Sequence, residues 1–397
     1  MERLDQTREI SDKELYEQID ELILQENRTW KKSLGERERL RRELYNSVRK
    51  LDILQELLED ETITEVMVNG TDGIFLERGG EIFRWEKHFQ DRGQIEDVVQ
   101  QIAGGCDRIV NESIPIGDAR LEDGARVNLV LPPVALNGPI ITIRRFPRRA
   151  ITMRELTDWG SISQEAADLL KQLVYAGYNL FISGGTGSGK TTFLNALSDF
   201  IPKGERIVTI EDNAELQIQG VANLVRLEAR RGNTEGIHQV TIRDLIRASL
   251  RMRPNRIIVG EVRGEEAIDM LQAFNTGHEG SLSTGHANSA ADMLVRLETM
   301  VLMGMELPVS AIRRQIASAV DILVHLGRLR DGSRKVLEIV QITGYRCATE
   351  EILTEPLYVF EETGEKGGET ICGSFQKKGE VFRKEKLIRA GLMEETG

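Results

Sequence analysis

The chain begins with a pattern typical of charged amphipathic helices. Ser11 and Glu14 have the spacing of a capping box, which marks the start of a helix. The apolar residues at helical spacing are Leu15, Ile19, Leu22 and Ile23 in a first helix, and Leu40, Leu44, Val48 and Leu51 in a second. Residues 1–58 therefore predict a helical segment with a solvated charged face; a coiled coil or a docking element is the alternative.

Between residues 59 and 147 the pattern changes to short strands in which apolar and polar positions alternate. The turns between these strands are Asn69-Gly70, Asp72-Gly73 and Gly79-Gly80. A helix carrying Ile95, Val98 and Ile102 interrupts the strands. We expect a separate α+β domain over residues 59–147, joined to the rest of the chain by a linker that starts near Pro147.

From residue 148 onward, short apolar strands alternate with helical segments. A helix is expected near residues 164–175, and the predicted strands are residues 180–182, 207–210, 257–259 and 322–324. This alternation predicts an α/β doubly wound domain over residues 148–397, with chemistry at the carboxyl ends of its strands. Beyond Gly344 the pattern is weak and polar, so a tail is expected there.

Composition and charge restrict the classes of protein that fit these patterns. The 397 residues are 40% hydrophobic and 29% charged, which is typical of globular proteins. No apolar run is long enough to span a bilayer and the first residues lack a signal peptide, so we expect a cytoplasmic chain. The net charge of −12 disfavours general nucleic-acid binding. Three widely spaced cysteines have no metal-binding spacing and predict reduced thiols.

A glycine-rich loop between a predicted strand and a predicted helix is the strongest candidate for chemistry. Its residues are Gly184, Gly185, Thr186, Gly187, Ser188, Gly189, Lys190, Thr191 and Thr192, which match the P-loop pattern G-x-x-x-x-G-K-T. Such a loop binds phosphate through backbone N–H groups at a helix N-terminus. Lys190 is then expected to contact the β- and γ-phosphates of ATP, and the Thr191 hydroxyl to bind Mg²⁺. The alternative is a glycine-rich turn that binds nothing.

Two acidic residues at strand ends are candidates for the remaining catalytic chemistry. Glu261 follows the apolar strand at 257–259, where a Walker B acid holds Mg²⁺ through a bound water or polarises the attacking water. Glu211 ends the strand at 207–210 and is the best candidate to orient the attacking water, with Asp212 and Glu215 as hydrogen-bond partners. For both acids, a merely solvated strand end is the alternative.

Histidines and arginines near these motifs are more ambiguous. His278 and His286 lie in one glycine-rich segment with a single nearby acid, which disfavours a metal site and favours a sensor of the γ-phosphate. For His278, a structural role is the alternative. Arg243, Arg247 and Arg251 form a helical stripe that predicts a solvated face, a subunit interface or a phosphate contact.

Taken together, these motifs resemble the type II/IV secretion and pilus ATPase superfamily, and most closely its Tad/Flp-pilus (CpaF-like) branch. The matching segments are G-G-T-G-S-G-K-T-T from Gly184, R-I-V-T-I-E-D-N-A-E-L from Arg206, R-I-I-V-G-E-V-R-G from Arg256 and T-G-H-E-G-S-L-S-T-G-H-A-N-S from Thr276. Further upstream, T-I-T-E-V-M-V-N-G from Thr62 and D-G-A-R-V-N from Asp123 resemble the N-terminal domain of that family.

The resemblance implies a RecA-like P-loop ATPase core and a ring-shaped homo-hexamer. By position, Glu211 corresponds to the general base, Glu261 to the Walker B acid that serves Mg²⁺ together with Thr191, and His286 to the His-box sensor. Arg126 and Arg144 are the arginines of the N-terminal domain expected to complete the phosphate site, although Arg120 and Arg145 stand close by. The four-cysteine zinc subdomain of many relatives is missing, which favours the Tad-like branch and predicts no structural zinc.

The expected function is therefore that of an ATP-hydrolysing hexameric motor. It would power pilus assembly or protein secretion by pushing on an inner-membrane platform protein, from the cytoplasmic side of the membrane, with ATP and Mg²⁺ as cofactors. A RecA-like nucleic-acid motor, and an ATP-gated scaffold with little turnover, are the alternatives.

Overall fold

The computed structural model describes residues 11–30, 33–106, 108–145, 149–230, 239–366 and 370–394. The chain divides into two compact units, Met1–Arg148 and Arg149–Gly397. Pro147, at which the linker is predicted to begin, lies outside the described residues. None of the helices described combines the length and apolar character that a membrane crossing needs.

The first unit opens with a helical hairpin of α1 (Asp12–Trp30) and α2 (Leu34–Arg49). The predicted capping box forms, because the Ser11 backbone N–H donates to the Glu14 carboxylate at 3.0 Å. The apolar faces of the two helices meet; their residues are Leu15, Ile19 and Ile23, packed against Leu40, Leu44, Tyr45 and Val48. The prediction for Leu51 was wrong: α2 ends before it, and Leu51 packs against the core of the following sheet instead.

That sheet is antiparallel and six-stranded. Its strands are β1 (Ile63–Asn69), β2 (Ile74–Arg78), β3 (Glu81–Arg84), β4 (Ile116–Arg120), β5 (Arg126–Val130) and β6 (Ile140–Arg144), and the helices beside them are α3 (Leu54–Glu59) and α4 (Arg92–Gly105). The strands are arranged in the order β3-β2-β1-β6-β5-β4. Alternate residues such as Val66 and Val68 are buried against apolar residues of α4, which matches the predicted alternation.

The second unit is built on a nine-stranded sheet. Its strands are β7 (Leu180–Gly184), β8 (Ile207–Glu211), β9 (Leu224–Glu228), β10 (Arg256–Val259), β11 (Leu282–Gly285), β12 (Ile322–Arg328), β13 (Arg334–Arg346), β14 (Glu351–Lys366) and β15 (Thr370–Lys377). The order is β15-β14-β13-β12-β7-β11-β10-β8-β9, in which β12 to β9 are mutually parallel and β13 to β15 antiparallel.

Helices cover both faces of the parallel part of this sheet. They are α5 (Met153–Asp158), α6 (Gln164–Tyr175), α7 (Lys190–Ser198), α8 (Ile242–Ser249), α9 (Ala267–Asn275), α10 (Ala290–Gly304), α11 (Val309–Ala319) and, near the C-terminus, α12 (Glu385–Arg389). One apolar core joins the sheet to α6 and α7, and another joins its opposite face to α8, α9, α10 and α11. This mixed α/β arrangement is the RecA-like core that the sequence predicts.

The four predicted strands are confirmed, but one further strand was missed and the prediction of a tail was wrong. The strand β11 was not predicted, since its sequence Leu-Ser-Thr-Gly is typical of a loop; it lies buried between β7 and β10. The polar tail expected beyond Gly344 instead contains β14 and β15. These strands are stabilised by ladder pairing with β13 at the edge of the sheet, where polar side chains remain in solvent.

Arg256 anchors the amino end of β10 although its side chain is almost fully buried. Its guanidinium pairs with Glu205 at 2.5 Å and donates to the backbone oxygens of Val174 and Gly280. A side chain at Gly280 would place Cβ 2.5 Å from this guanidinium, so the glycine leaves room for it.

Arg256→Leu is expected to destabilise the second unit by roughly 3–5 kcal/mol, because it leaves Glu205 and buried carbonyls without their cation. The measurement is denaturant unfolding followed by a probe within this unit. Arg251→Leu is the control, since this arginine is exposed, and it should change stability by less than about 0.5 kcal/mol. Equal effects of the two substitutions would contradict the anchoring role of Arg256.

Candidate functional site

The glycine-rich loop connects β7 to α7, as the sequence predicts. Gly189 is the N-cap of α7 and has φ 92°, in the left-handed region that favours glycine. At Gly184 the limit is space, since a Cβ would lie 2.5 Å from both the Leu326 carbonyl oxygen and the Ser188 hydroxyl. The loop therefore turns tightly into a helix N-terminus, where the first-turn N–H groups have no partner within the helix and can bind an anion.

Lys190 lies across this loop rather than in solvent. Its side chain is 7% exposed, and its ammonium donates to the carbonyl oxygens of Gly184 at 3.1 Å and Gly185 at 3.0 Å. Burial lowers the pKa of Lys190, while the nearby Glu261 carboxylate opposes that shift. The cation is thus held beside the amides that form the anion-binding turn. Thr191 and Thr192, which follow it, are half-buried.

The residues predicted to act on the nucleotide follow four adjacent strands of the sheet. The strands lie side by side in the order β7, β11, β10 and β8. Lys190 follows β7, His286 follows β11, Glu261 follows β10, and Glu211 is the last residue of β8. The strands are parallel, so their carboxyl ends meet at one edge. That edge is where ligands bind in open α/β sheets.

His286 connects Lys190 to Glu261. Its Nε2 atom lies 2.6 Å from Glu261 Oε1, and its Nδ1 atom lies 3.3 Å from the Lys190 ammonium nitrogen. Burial lowers the pKa of His286, with Glu261 opposing and Lys190 reinforcing the shift. In a neutral ring, Nδ1 accepts a hydrogen bond from the Lys190 ammonium, while Nε2 faces the Glu261 carboxylate.

Arg263 completes the group and was missed by sequence reasoning. It donates to Glu261 Oε2 from Nη2 at 2.5 Å and from Nε at 2.9 Å, and its Nη1 lies 3.7 Å from Asp212. Its position two residues after the Walker B acid was the available signal. Lys190, His286, Glu261 and Arg263 therefore form one connected chain of contacts.

Glu211 is buried at the end of β8 and is 3% exposed. Its Oε1 accepts the backbone N–H groups of Glu215 and Leu216, each at 2.8 Å, while its Oε2 is buried without a partner among the described residues. Burial raises the pKa of Glu211 to about 7, against the opposing effect of those two hydrogen bonds. A carboxyl group whose pKa is close to neutral pH, and which has one oxygen without a hydrogen bond, is suited to accept a proton.

Gly260 fixes the distance between the two acidic strand ends. A Cβ at this position would lie 2.9 Å from Glu211 Cγ, so the glycine lets the Glu211 side chain lie against the strand that leads to Glu261. The predicted partnership of Glu215 with Glu211 exists, but through the backbone N–H of Glu215.

Other residues singled out in the sequence have structural partners. His278 lies at the opposite end of β11 from His286, and its Nδ1 is 3.1 Å from the Ala273 carbonyl oxygen. Arg243 and Arg247 both pair with Asp269 of α9, at 2.7 and 2.8 Å. Arg243 and Arg247 therefore tie α8 to α9. The predicted solvated face holds for Arg247, which is 56% exposed, and for Arg251, which is exposed but lies beyond the end of α8.

The arginines of the first unit form a row across its sheet. Arg120, Arg126 and Arg144 are direct neighbours on β4, β5 and β6. Arg145, by contrast, donates to the backbone carbonyls of Asp60 and Ile63 and has a structural role. The predicted pair, Arg126 and Arg144, thus belongs to a basic row of three residues.

The donor set at the P-loop edge fits ATP with Mg²⁺. The turn supplies amides and an ammonium for phosphate, and the Thr191 hydroxyl and Glu261 carboxylate are the hard oxygen ligands that Mg²⁺ takes. Within the described ranges, no cluster of three or more His, Cys, Asp or Glu residues could hold a metal by itself. Mg²⁺ in proteins is usually bound by one or two carboxylates, with water and substrate phosphate as its other ligands.

A cavity of about 740 Å³ lies at the opposite edge of the sheet. It is lined by the amino ends of the strands and by α12. Its charged groups already pair with one another, as Lys386 does with buried Asp321 at 2.8 Å and Arg389 with Glu279 at 3.3 Å. The P-loop edge is therefore the better candidate despite the size of this cavity.

Comparison with known proteins agrees with the site. The model of the type II/IV secretion system protein family matches residues 48–371. A putative conjugal transfer protein of Mycobacterium tuberculosis is 39% identical over 72% of this chain and 83% of its own length. The conjugal transfer protein TrbB of Rhizobium radiobacter is 34% identical over 78% of this chain and 92% of its own.

A solved structure shows the same fold. The ATPase DotB of Yersinia pseudotuberculosis matches with a TM-score of 0.53 and 19% identity, over 76% of this chain and 80% of that one. Because the family model spans most of the sequence, including the P-loop, Glu211, Glu261 and His286, the chain belongs to the type II/IV secretion system protein family.

Proposed function

We propose that this chain is a Mg²⁺-dependent ATPase that works as a motor for pilus assembly or protein secretion. The observation that carries the proposal is the connected group of Lys190, His286, Glu261 and Arg263 beside a phosphate-binding turn. Family membership supports the same activity.

The residues divide the chemistry among them. The amides of residues 185–191 and the Lys190 ammonium bind the phosphates of ATP, and Thr191 and Glu261 hold the Mg²⁺ shell. When bound, Mg²⁺ neutralises charge that develops on the phosphate oxygens. Glu211 orients the attacking water and accepts its proton at Oε2. His286 senses the nucleotide, since its ring bridges the phosphate-binding lysine and the Mg²⁺-binding acid.

We further propose a homo-hexamer that acts on an inner-membrane platform protein from the cytoplasmic side. The order of the four motifs supports this reading, and the missing four-cysteine subdomain supports the Tad/Flp-pilus branch of the family. The relatives named above carry conjugal transfer names, so a secretion role is equally open. Arg126 and Arg144 are proposed as additional phosphate ligands, supported by their shared basic row.

Replacing Glu261 by glutamine tests the assignment of the metal-binding acid. We expect turnover to fall roughly tenfold to a hundredfold, because the amide keeps the shape but loses the charge that holds the Mg²⁺ shell. The loss should be partly recovered at higher Mg²⁺ concentration. The matched control is Glu306→Gln, an exposed glutamate of the same unit.

The assay measures phosphate release together with mass by light scattering, with and without ATP. Mg²⁺-dependent turnover in a nucleotide-favoured hexamer would support the motor. Tight ATP binding without turnover in an assembled ring, even with a platform protein's cytoplasmic domain present, would overturn it in favour of a scaffold. Turnover stimulated by DNA with a steep salt dependence would favour a nucleic-acid motor instead.

A further inference from the structure

Three polar side chains form a row on a largely apolar face of the second sheet. Ser183 of β7 is in register with His325 of β12, and His325 is in register with Glu338 of β13. Ser183 and His325 are buried, with the histidine only 4% exposed, and Glu338 is half-buried. Neighbours on this face, such as Phe181 and Leu323, belong to the apolar core under α9 and α10.

The members of this polar row are hydrogen-bonded to each other and to one loop. Ser183 Oγ lies 2.9 Å from His325 Nδ1. The imidazole also donates a hydrogen bond to the backbone carbonyl of Asn288. The Glu338 carboxylate accepts the backbone N–H of Ala290 at 2.8 Å. The row therefore holds the backbone on both sides of Ser289, which is the N-cap of α10.

The loop held in this way is the one that carries His286. His286 lies two residues before Asn288, and its ring contacts Lys190 and Glu261. At its other end the row begins at Ser183, which directly precedes the first glycine of the P-loop. The row thus connects the base of the phosphate-binding loop to the backbone that places the predicted sensor.

A purely packing role does not account for this arrangement. Burying an imidazole and a hydroxyl in an apolar core costs free energy unless both are hydrogen-bonded, and an aliphatic side chain would fill the same space without that cost. Burial lowers the pKa of His325, which keeps the ring neutral and able to donate from one nitrogen while accepting at the other.

We propose that Ser183, His325 and Glu338 are positioning residues, which hold the loop of residues 286–289 so that His286 stays in contact with Lys190 and Glu261. The proposal rests on the ATPase function proposed above. It assigns these three residues no contact with nucleotide; they act through His286.

The test is His325→Leu, assayed alone and in a His286→Ala background. Alone, we expect kcat to fall roughly tenfold to a hundredfold while KM for ATP changes less than about threefold. In the His286→Ala background, adding His325→Leu should lower kcat little further, since the effect of His325 passes through His286. His325→Gln, which retains a donor for the Asn288 backbone, should recover most of the loss.

His278→Leu is the matched control, because it removes a histidine from the other end of β11 and should leave kcat unchanged. Glu338→Ala removes the acceptor for Ala290 from a half-buried position and serves as a second test if His325→Leu folds poorly. A wild-type kcat in both row variants would overturn the proposal. The proposal would also be overturned if His325→Leu lowered kcat by the same factor in the presence and in the absence of His286.

Hydrogen exchange separates this proposal from that of the ATPase function. If the wild-type protein hydrolyses no ATP, the proposed function fails, yet the amides of residues 286–292 still report on the row. Faster exchange of these amides in His325→Leu, with residues 242–249 of α8 unchanged, supports the positioning role. Unchanged exchange in residues 286–292 overturns it.

Discussion

Lys190→Ala is expected to abolish ATP turnover, with a loss in kcat of roughly 10³-fold. The carbonyl oxygens of Gly184 and Gly185 hold the ammonium directly over the phosphate-binding turn. Removing the ammonium takes away the charge that is proposed to stabilise the β- and γ-phosphates in the transition state. It also removes the contact with His286 Nδ1, so the sensor loses its link to the phosphate site.

The measurement is single-turnover phosphate release, together with the affinity for a fluorescent ATP analogue. Lys171→Ala is the control, since that lysine is exposed on α6 and should retain wild-type activity. The fold should survive Lys190→Ala, because the variant removes a partly desolvated charge and no apolar core contact. A variant that folds and retains more than a tenth of wild-type turnover would contradict the assignment of the P-loop.

Glu211→Gln is expected to lower kcat by roughly 10²- to 10⁴-fold while ATP binding is largely retained. The glutamine side chain can still accept the backbone N–H groups of Glu215 and Leu216 through its carbonyl oxygen. It cannot accept a proton from the attacking water. A variant that binds ATP, assembles normally and does not turn over would therefore separate proton transfer from binding.

The pH dependence follows from the same carboxyl. Since burial raises the pKa of Glu211 to about 7, the base form grows as pH increases, and wild-type kcat/KM should rise through about pH 7 and then level off. A profile that is flat between pH 5.5 and 8.5 would contradict the role of Glu211 as base. The exposed Glu306→Gln variant should keep the wild-type profile.

Stability should change in the opposite direction. A carboxyl with a pKa of about 7 in the folded chain and 4.5 as its ordinary value binds a proton more tightly when folded. Its contribution is complete below the ordinary value and is lost as pH rises through the folded one, by about 3 kcal/mol at most. Glu211→Gln should remove this loss, so denaturant unfolding of the variant between pH 5 and 8 should be less pH-dependent than that of wild type.

The sequence predicted those elements whose pattern depends on residues close together in the chain. The P-loop and the strands at 180–182, 207–210, 257–259 and 322–324 were predicted because their apolar runs and glycines act locally. The strand β11 was missed because its sequence contains a serine and a threonine and no apolar run. In the fold, Thr284 donates to the Gly260 carbonyl oxygen, whereas the Ser283 hydroxyl is buried without a partner among the described residues. The burial of β11 between two other strands is a property of the whole sheet.

The site shows the same limit. Lys190, Glu211, Glu261 and His286 were all singled out, each by its place in a motif. The contacts that join them were not, because they follow from the order in which parallel strands are arranged in the sheet. Arg263 and His325 were missed for this reason: one is an arginine in a turn, and the other looks like a histidine in an apolar strand until its register with Ser183 and Glu338 is known.

Lys190 has a consequence for how nucleotide binds. Its ammonium donates to two carbonyl oxygens of the loop that is proposed to bind phosphate, so this one side chain cross-links the loop within the chain itself. Binding of ATP as proposed above would then be an exchange of hydrogen-bond partners by one side chain, because the entropy of ordering the loop is already lost on folding. Such preorganisation predicts an on-rate limited by diffusion rather than by rearrangement of the loop.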